Sequence, residues 1–182
     1  ISYALHRASG PLTISIKVLV NYRDYHSDTV GGSWQMQLSK VDRGVCVTAH
    51  DAAIPFYLLS DRGDFSPSHN WITGFDLAME RYRGLRDRED HLHVVTFELT
   101  LEPGTSITIV ASTESHPSLQ IPAALEARRT YERTLLQRWQ TGIYLTLASK
   151  TTPAWINQLV LAADQFIVSR PSSHRPDGKT II

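Results

Sequence analysis

The sequence predicts a mainly β chain, an antiparallel β-sandwich or barrel over its first part, followed by two α-helices. Three observations predict it. Apolar and polar residues alternate with period two from Leu12 to Val20. Short β-branched and aromatic runs then recur at close intervals, each ended by turn residues. After His116-Pro117 the composition switches to strong helix formers. Strands followed by helices, without alternation, place the two kinds of structure in separate units.

In chain order, Leu12, Ile14, Ile16, Val18 and Val20 form the apolar side of the first clear strand, with Thr13, Ser15 and Lys17 between them. Further strands are expected over 33–38, 45–49, 54–59, 71–79, 93–101 and 106–111. Gly31-Gly32, Asp42-Arg43-Gly44 and Asp61-Arg62-Gly63-Asp64 separate them as turns. Glu102-Pro103-Gly104-Thr105, between two β-branched runs, reads as a tight hairpin. The Ala-, Leu-, Glu- and Arg-rich stretch from Pro122 to Trp139 reads as a helix. A second helix opens at Thr152-Pro153, an N-cap followed by proline at the first helical position. Ile156, Leu159, Val160, Ala163, Phe166 and Ile167 then recur at helical spacing until Arg170-Pro171. The segment from Arg170 to Gly178 is a polar loop. Two such helices bury their apolar stripe only against a larger helical partner. The chain starts in the register of a strand, without Met, and stops as an apolar run begins. Both ends read as cuts through a longer protein, with the β unit incomplete at its N-terminus.

Balanced charge, 18 Lys+Arg against 18 Asp+Glu, argues against a protein that binds by neutralising phosphates, so nucleic acid is not an expected partner. Four Trp, seven Tyr and five Phe supply a sizeable core. No stretch approaches the ~20 apolar residues of a membrane span, and no signal pattern opens the chain. The single cysteine, Cys46 in Val45-Cys46-Val47, has no partner for an internal disulfide and reads as a small buried residue. A reducing, cytoplasmic setting follows.

Three stretches carry candidate chemistry. In Asn21-Tyr22-Arg23-Asp24-Tyr25-His26, directly after a strand, Arg23, Asp24 and His26 stand among aromatics; the plainer reading is an Arg23–Asp24 ion pair and a turn-capping His26. From Glu80 to Asp90, eight of eleven residues are charged. This reads as a solvated loop, or as a polar pocket wall in which arginines orient carboxylates or sugar hydroxyls. His91-Leu92-His93 with Glu98 resembles the first metal motif of cupins, and His116 offers one more ligand. In an unbroken strand Glu98 falls on the face opposite both histidines, so the trio requires a bulge, and no second cupin motif is present. No Gly-rich phosphate loop, zinc spacing or nucleophile elbow occurs, so no cofactor, bound metal or catalytic set is assigned within the chain. Tyr22, Tyr25, Trp71 and Tyr82 lie near the candidate loops, where core or rim packing is their ordinary role.

Leu159 to Arg170, reading Leu-Val-Leu-Ala-Ala-Asp-Gln-Phe-Ile-Val-Ser-Arg, and Gly178-Lys179-Thr180-Ile181-Ile182 resemble the entry into the catalytic domain of glycogen debranching enzymes of the amylo-α-1,6-glucosidase type. Asn21 to His26, and Glu80 with Arg83-Gly84-Leu85 and Glu89-Asp90, resemble motifs of that family's N-terminal β domain. The resemblance spans nearly the whole chain. It implies a β-supersandwich of the galactose mutarotase-like kind over 1–117, a helical linker over 118–150, and the start of an (α/α)6-barrel glycosidase domain over 151–182. The function implied is that of the non-catalytic N-terminal region of an enzyme hydrolysing α-1,6 branch points, supporting the barrel and its glucan cleft. Such hydrolysis needs two carboxyl groups flanking the glycosidic bond, expected beyond Ile182. Arg23, Asp24, His26, Glu80, Arg83 and Asp90 are the candidate substrate-binding residues. The partners implied are a branched α-glucan such as glycogen or limit dextrin and the rest of the catalytic domain, with a homo-oligomer open. Two alternatives stand beside this: a self-contained carbohydrate-binding module, and a cupin-like metalloprotein using His91, His93 and Glu98.

Overall fold

In the computed structural model, which describes residues 1–24, 27–32, 34–144, 153–169 and 179–181, the β-rich part closes into two antiparallel sheets. The chain divides into two compact units, Ile1–Ile121 and Pro122–Ile182. In the first, β1 (Ser2–Ala4), β3 (Gln37–Val41), β4 (Gly44–Thr48), β5 (Phe56–Ser60) and β8 (Ser106–Ser112) form a five-stranded sheet in the order β1-β8-β5-β4-β3. β2 (Leu12–Val20), β6 (Asp64–Asp76) and β7 (Arg88–Leu101) form a three-stranded sheet in the order β2-β7-β6, and the short helix α1 (Ala78–Tyr82) interrupts the passage from β6 to β7.

Alternation decides which side chains meet. Val45, Val47, Leu58, Ile107 and Ile109 of one sheet and Val20, Leu92, Val94, Val95, Phe97 and Leu101 of the other form one buried cluster. The unit is therefore a sandwich. Burying each large aliphatic or aromatic side chain contributes about 1.5–3 kcal/mol. Ile14, Ile16 and Val18 pack against the cluster as their spacing predicts. Cys46 corrects its expectation: it is only half-buried, because it points away from the core-facing Val45 and Val47.

A β-bulge shapes the middle strand. Val18 pairs with Val95 but Leu19 pairs with His93, leaving Val94 as an extra residue. Val94 and Val95 both enter the core, so the side-chain parity of β7 reverses there. On the other flank the β6 register breaks between Pro67 and Asn70. Pro67 lacks an N–H for the ladder and is accommodated because β6 is an edge strand.

Several boundaries differ from expectation. The 33–38 run becomes a strand only from Gln37; before it, Trp34 and Met36 enter the core region from irregular backbone. The strand expected over 71–79 is instead β6, which begins at Asp64 and ends at Asp76, and Met79 belongs to α1. The strand expected from His93 starts at Arg88, which takes Arg88, Glu89 and Asp90 out of the supposed solvated loop. The hairpin at 102–105 forms as read, the Thr105 N–H donating to the Glu102 carbonyl at 3.0 Å.

The tightest backbone approach is at Gly44, where a Cβ would lie 1.9 Å from the Leu58 carbonyl oxygen. Gly44→Ala is expected to cost about 2–3 kcal/mol of stability, because only backbone movement relieves the overlap. Urea denaturation checks this, and an unchanged midpoint would refute it.

In the second unit, α2 (Ile121–Tyr144) runs five residues past the expected end at Trp139, and α3 (Ala154–Asp164) packs beside it. Leu135 and Trp139 face Ile156, Val160 and Ala163 across an apolar groove, and the Tyr131 hydroxyl donates to the Asp164 carboxylate at 2.7 Å. Pro153 is the N-cap of α3, with ψ 140, and not its first helical residue. The second helix also stops short of Phe166 and Ile167; the chain turns there into β9 (Ile167–Ser169), which pairs with β10 (Lys179–Ile181). Thr152 and the loop from Arg170 to Gly178 lie outside the described residues. Among the described residues no helix is long and apolar enough to cross a membrane.

Candidate functional site

The two charged stretches meet at one end of the three-stranded sheet. The segment after β2 folds back over the beginning of β7: the Asp90 N–H donates to the Thr29 carbonyl at 3.0 Å, and the Thr29 N–H donates to Glu89 at 3.3 Å. Asn21 ties the same edge, its amide reaching the Asp90 carbonyl at 3.4 Å.

Glu89, only 4% exposed, is the electrostatic centre of this junction. Arg23 binds it through both Nε and Nη2, while Nη1 donates to the Asp24 carbonyl at 3.2 Å. The ion pair of Arg23 is thus with Glu89, a residue remote in sequence. A buried carboxylate needs such a cation, since removal from water is costly without one.

Asp90 has a different task. Its two oxygens accept the Gly31 and Gly74 N–H groups, each at 2.8 Å, pinning the loop before β3 to the end of β6. These two backbone hydrogen bonds hold its carboxyl below the ordinary carboxylate range. A depressed folded value means a contribution present above the unfolded pKa of ~3.9 and lost as pH falls through the folded value. Asp90→Asn is therefore expected to lower stability at neutral pH and to flatten the stability curve below about pH 4. Thermal melts from pH 7 to pH 2.5 check it; parallel curves for the two proteins would contradict it.

The excursion between β6 and β7 is rigidly built. Arg81 clamps its two ends, bonding Asp76 on one side and Asp87, at 2.6 Å, on the other. That hydrogen bond from Arg81 is the main reason the Asp87 carboxyl lies below the ordinary carboxylate range. α1 ends in a Schellman motif: the Leu85 N–H donates to the Glu80 carbonyl at 2.9 Å and the Gly84 N–H to the Arg81 carbonyl at 3.0 Å. Gly84 adopts φ 72, a left-handed conformation that side chains disfavour. The Arg83-Gly84-Leu85 sequence is thereby explained as a helix stop that turns the chain back toward the site.

Between the excursion and the segment after β2 lies a cavity of about 620 Å³, lined by Arg23, Ser27, Asp28, Leu77, Glu80, Arg83, Leu85 and Arg86. Of the six candidate binding residues, Arg23, Glu80 and Arg83 share this cavity. Asp90 is not part of its lining, Asp24 neighbours Arg23 in the chain, and His26 lies outside the described residues. Asp28 and Arg86, which stand 3.8 Å apart in its lining, were not singled out from the sequence; Arg86 lies in the second charged stretch, and Asp28 lies two residues beyond the first. Tyr22 and Trp71 pack against the core, Tyr82 is 86% exposed, and Tyr25 lies outside the described residues.

The bulge at Val94 supplies the parity that a His91, His93 and Glu98 trio requires, yet the three side chains are engaged separately. The His91 ring contacts Asn21 and stands edge-on to Phe75, His93 Nε2 is 2.8 Å from the Thr96 hydroxyl, and Glu98 accepts from Ser15 at 3.5 Å. His116 pairs with Ser115 at 2.9 Å. Among the described residues, no three His, Cys, Asp or Glu side chains stand close enough together to hold a metal ion.

Comparison with known proteins gives one family. The model described as glycogen debranching enzyme N terminal matches residues 1–108. No curated protein and no solved structure matches the chain significantly. The match covers the whole β-sandwich up to the first half of β8, including both charged stretches and the cavity between them. The chain belongs to the glycogen debranching enzyme N-terminal family.

Proposed function

We propose that this chain is the non-catalytic N-terminal region of a cytoplasmic glycogen debranching enzyme that hydrolyses α-1,6-glucosidic branch points. In this reading the sandwich packs beside an (α/α)6 barrel that begins within residues 151–182 and carries the acid and base carboxyl groups. The match of the sandwich to the debranching family carries the proposal. The cavity adds support of a different kind, since arginines and carboxylates around Leu77 and Leu85 suit a polyhydroxylated ligand with apolar ring faces. Arg23, Glu80 and Arg83 are the proposed glucan-facing residues, with Asp90 holding the loops that present them. Branched α-glucan is the proposed partner.

The test is hydrolytic. Residues 1–182 are expected to release no glucose from limit dextrin, whereas the complete enzyme does. Sustained turnover by residues 1–182 alone would overturn the proposal.

A further inference from the structure

We infer that the free edge of β2 pairs with the β2 edge of a second copy of this chain, joining two three-stranded sheets into one six-stranded sheet across a two-fold axis. The inference is independent of the glucan reading above.

The contrast between the sheet edges is the first argument. An open strand edge presents unpaired N–H and C=O groups, and native chains blunt it with short strands, proline, bulges or charges. Among the described residues the edges are β1 and β3 of one sheet and β2 and β6 of the other. β1 has three residues and β3 five, while β6 carries Pro67 and two register breaks. Of these devices β2 has only the charge of Lys17: it runs nine residues without proline or glycine, and its pairing with β7 is unbroken from Leu12 to Val18. Ile14, Ile16 and Val18 pack against the core yet are only half-buried, and Leu12 is 50% exposed. A strand laid along this edge covers the flank they leave open.

The second argument is that this edge is complementary to itself. A two-fold antiparallel pair that engages all nine residues of β2 has its axis at Ile16. Ile16 then meets its own copy, Ile14 meets the second copy's Val18, and Leu12 meets the second copy's Val20. Directly opposite residues point to the same side, so the apolar sides of the two strands fall together and extend both cores. Lys17 falls opposite the second copy's Ser15, and no like charges face each other. Charge favours the same register. Asp64 and Glu98 stand directly opposite each other on β6 and β7, two carboxylates in cross-strand register, and neither has an ion pair among the described residues. Lys17, opposite Thr96, has none within its own chain either. In the two-fold register it lies beside the second copy's Ser15, whose neighbour on β7 is Glu98. Lys17 is then two strands from that glutamate, about 10 Å between backbones, a gap that an extended lysine and an extended glutamate close together. The contact is made twice, and it selects a second copy of this chain over an unrelated strand.

Sedimentation equilibrium of the 182-residue chain tests the inference, together with hydrogen exchange of the β2 amides. One strand pair is a small interface, so the chain is expected to be dimeric at about 100 µM and monomeric at about 1 µM. The alternate β2 amides that do not bond to β7 should exchange quickly in the monomer and slowly in the dimer. Lys17→Glu and Glu98→Lys should each weaken dimerisation about tenfold by setting like charges together, and the two changes combined should restore it. Ser15→Lys, which sets lysine opposite the second copy's Lys17, should weaken it at least as much. All three side chains are exposed, so each variant should keep the fold, and circular dichroism checks this. A monomer at every concentration would overturn the inference, and slow exchange of the outward β2 amides in that monomer would show another strand on the edge. A dimer indifferent to Lys17→Glu and Ser15→Lys would place the interface elsewhere. Failure of the charge swap to restore dimerisation would remove the register centred on Ile16.

Discussion

Phe97→Ala is expected to lower the unfolding free energy by about 3–5 kcal/mol, the largest single loss available in the sandwich. Phe97 is fully buried on the central strand of the three-stranded sheet, between Ile16 on β2 and Phe65 on β6. Its ring lies 6.3 Å from that of Phe65, tilted by 48°, a geometry that adds to the area term. Truncation leaves a cavity where two sheets meet, and the flanking strands have little freedom to close it. Phe97→Leu keeps most of the volume and should lose less than half as much. Chemical denaturation of the three proteins checks the order, and a cost for Phe97→Ala below about 1.5 kcal/mol would show that the two sheets pack far more loosely than their burial indicates.

The second large effect concerns Arg23. Arg23→Ala should destabilise the chain by about 3 kcal/mol, because it leaves Glu89 buried without its cation. Glu89→Gln should cost less: Arg23 is 33% exposed, so its guanidinium can turn toward water once the carboxylate is gone. The double variant Arg23→Met with Glu89→Gln should recover part of the Arg23→Ala loss, since nothing charged remains buried. A double-mutant cycle measures the coupling. Equal costs for the two single changes and additivity in the double would mean that the pair acts only as two independent surface charges.

Period two in β2 and the Glu-Pro-Gly-Thr hairpin were legible because each depends only on neighbours in sequence. The start of β7 was not. Arg88, Glu89 and Asp90 read as loop by charge density; the strand there comes from pairing of Glu89 with Phe75 and of Arg88 with Asp76, and the partners of the Glu89 and Asp90 carboxylates lie 59 to 66 residues away, in the Arg23 guanidinium and the Gly31 N–H. α1 was missed for another reason: five residues give too little periodicity to see against Arg- and Glu-rich flanks. At the site, residue types together with the resemblance to the debranching family brought out Arg23, Glu80 and Arg83. Asp28 and Arg86 needed the fold, which brings the segment after β2 against the excursion before β7. Asp90 looked like a ligand from its chemistry; what the fold adds is that its carboxylate also accepts two backbone N–H groups and ties two loops together.

The extra residue at Val94 acts as a joint that separates two duties of one strand. On its N-terminal side β7 anchors the polar end through Glu89 and Asp90; on its C-terminal side it feeds Val95, Phe97 and Leu101 into the interior. A one-residue slip confined to the polar half would be absorbed at the joint without turning Phe97 outward. The C-terminal half of the strand thus keeps its place in the core independently of the polar loops, while Leu92 alone ties the near half to that core.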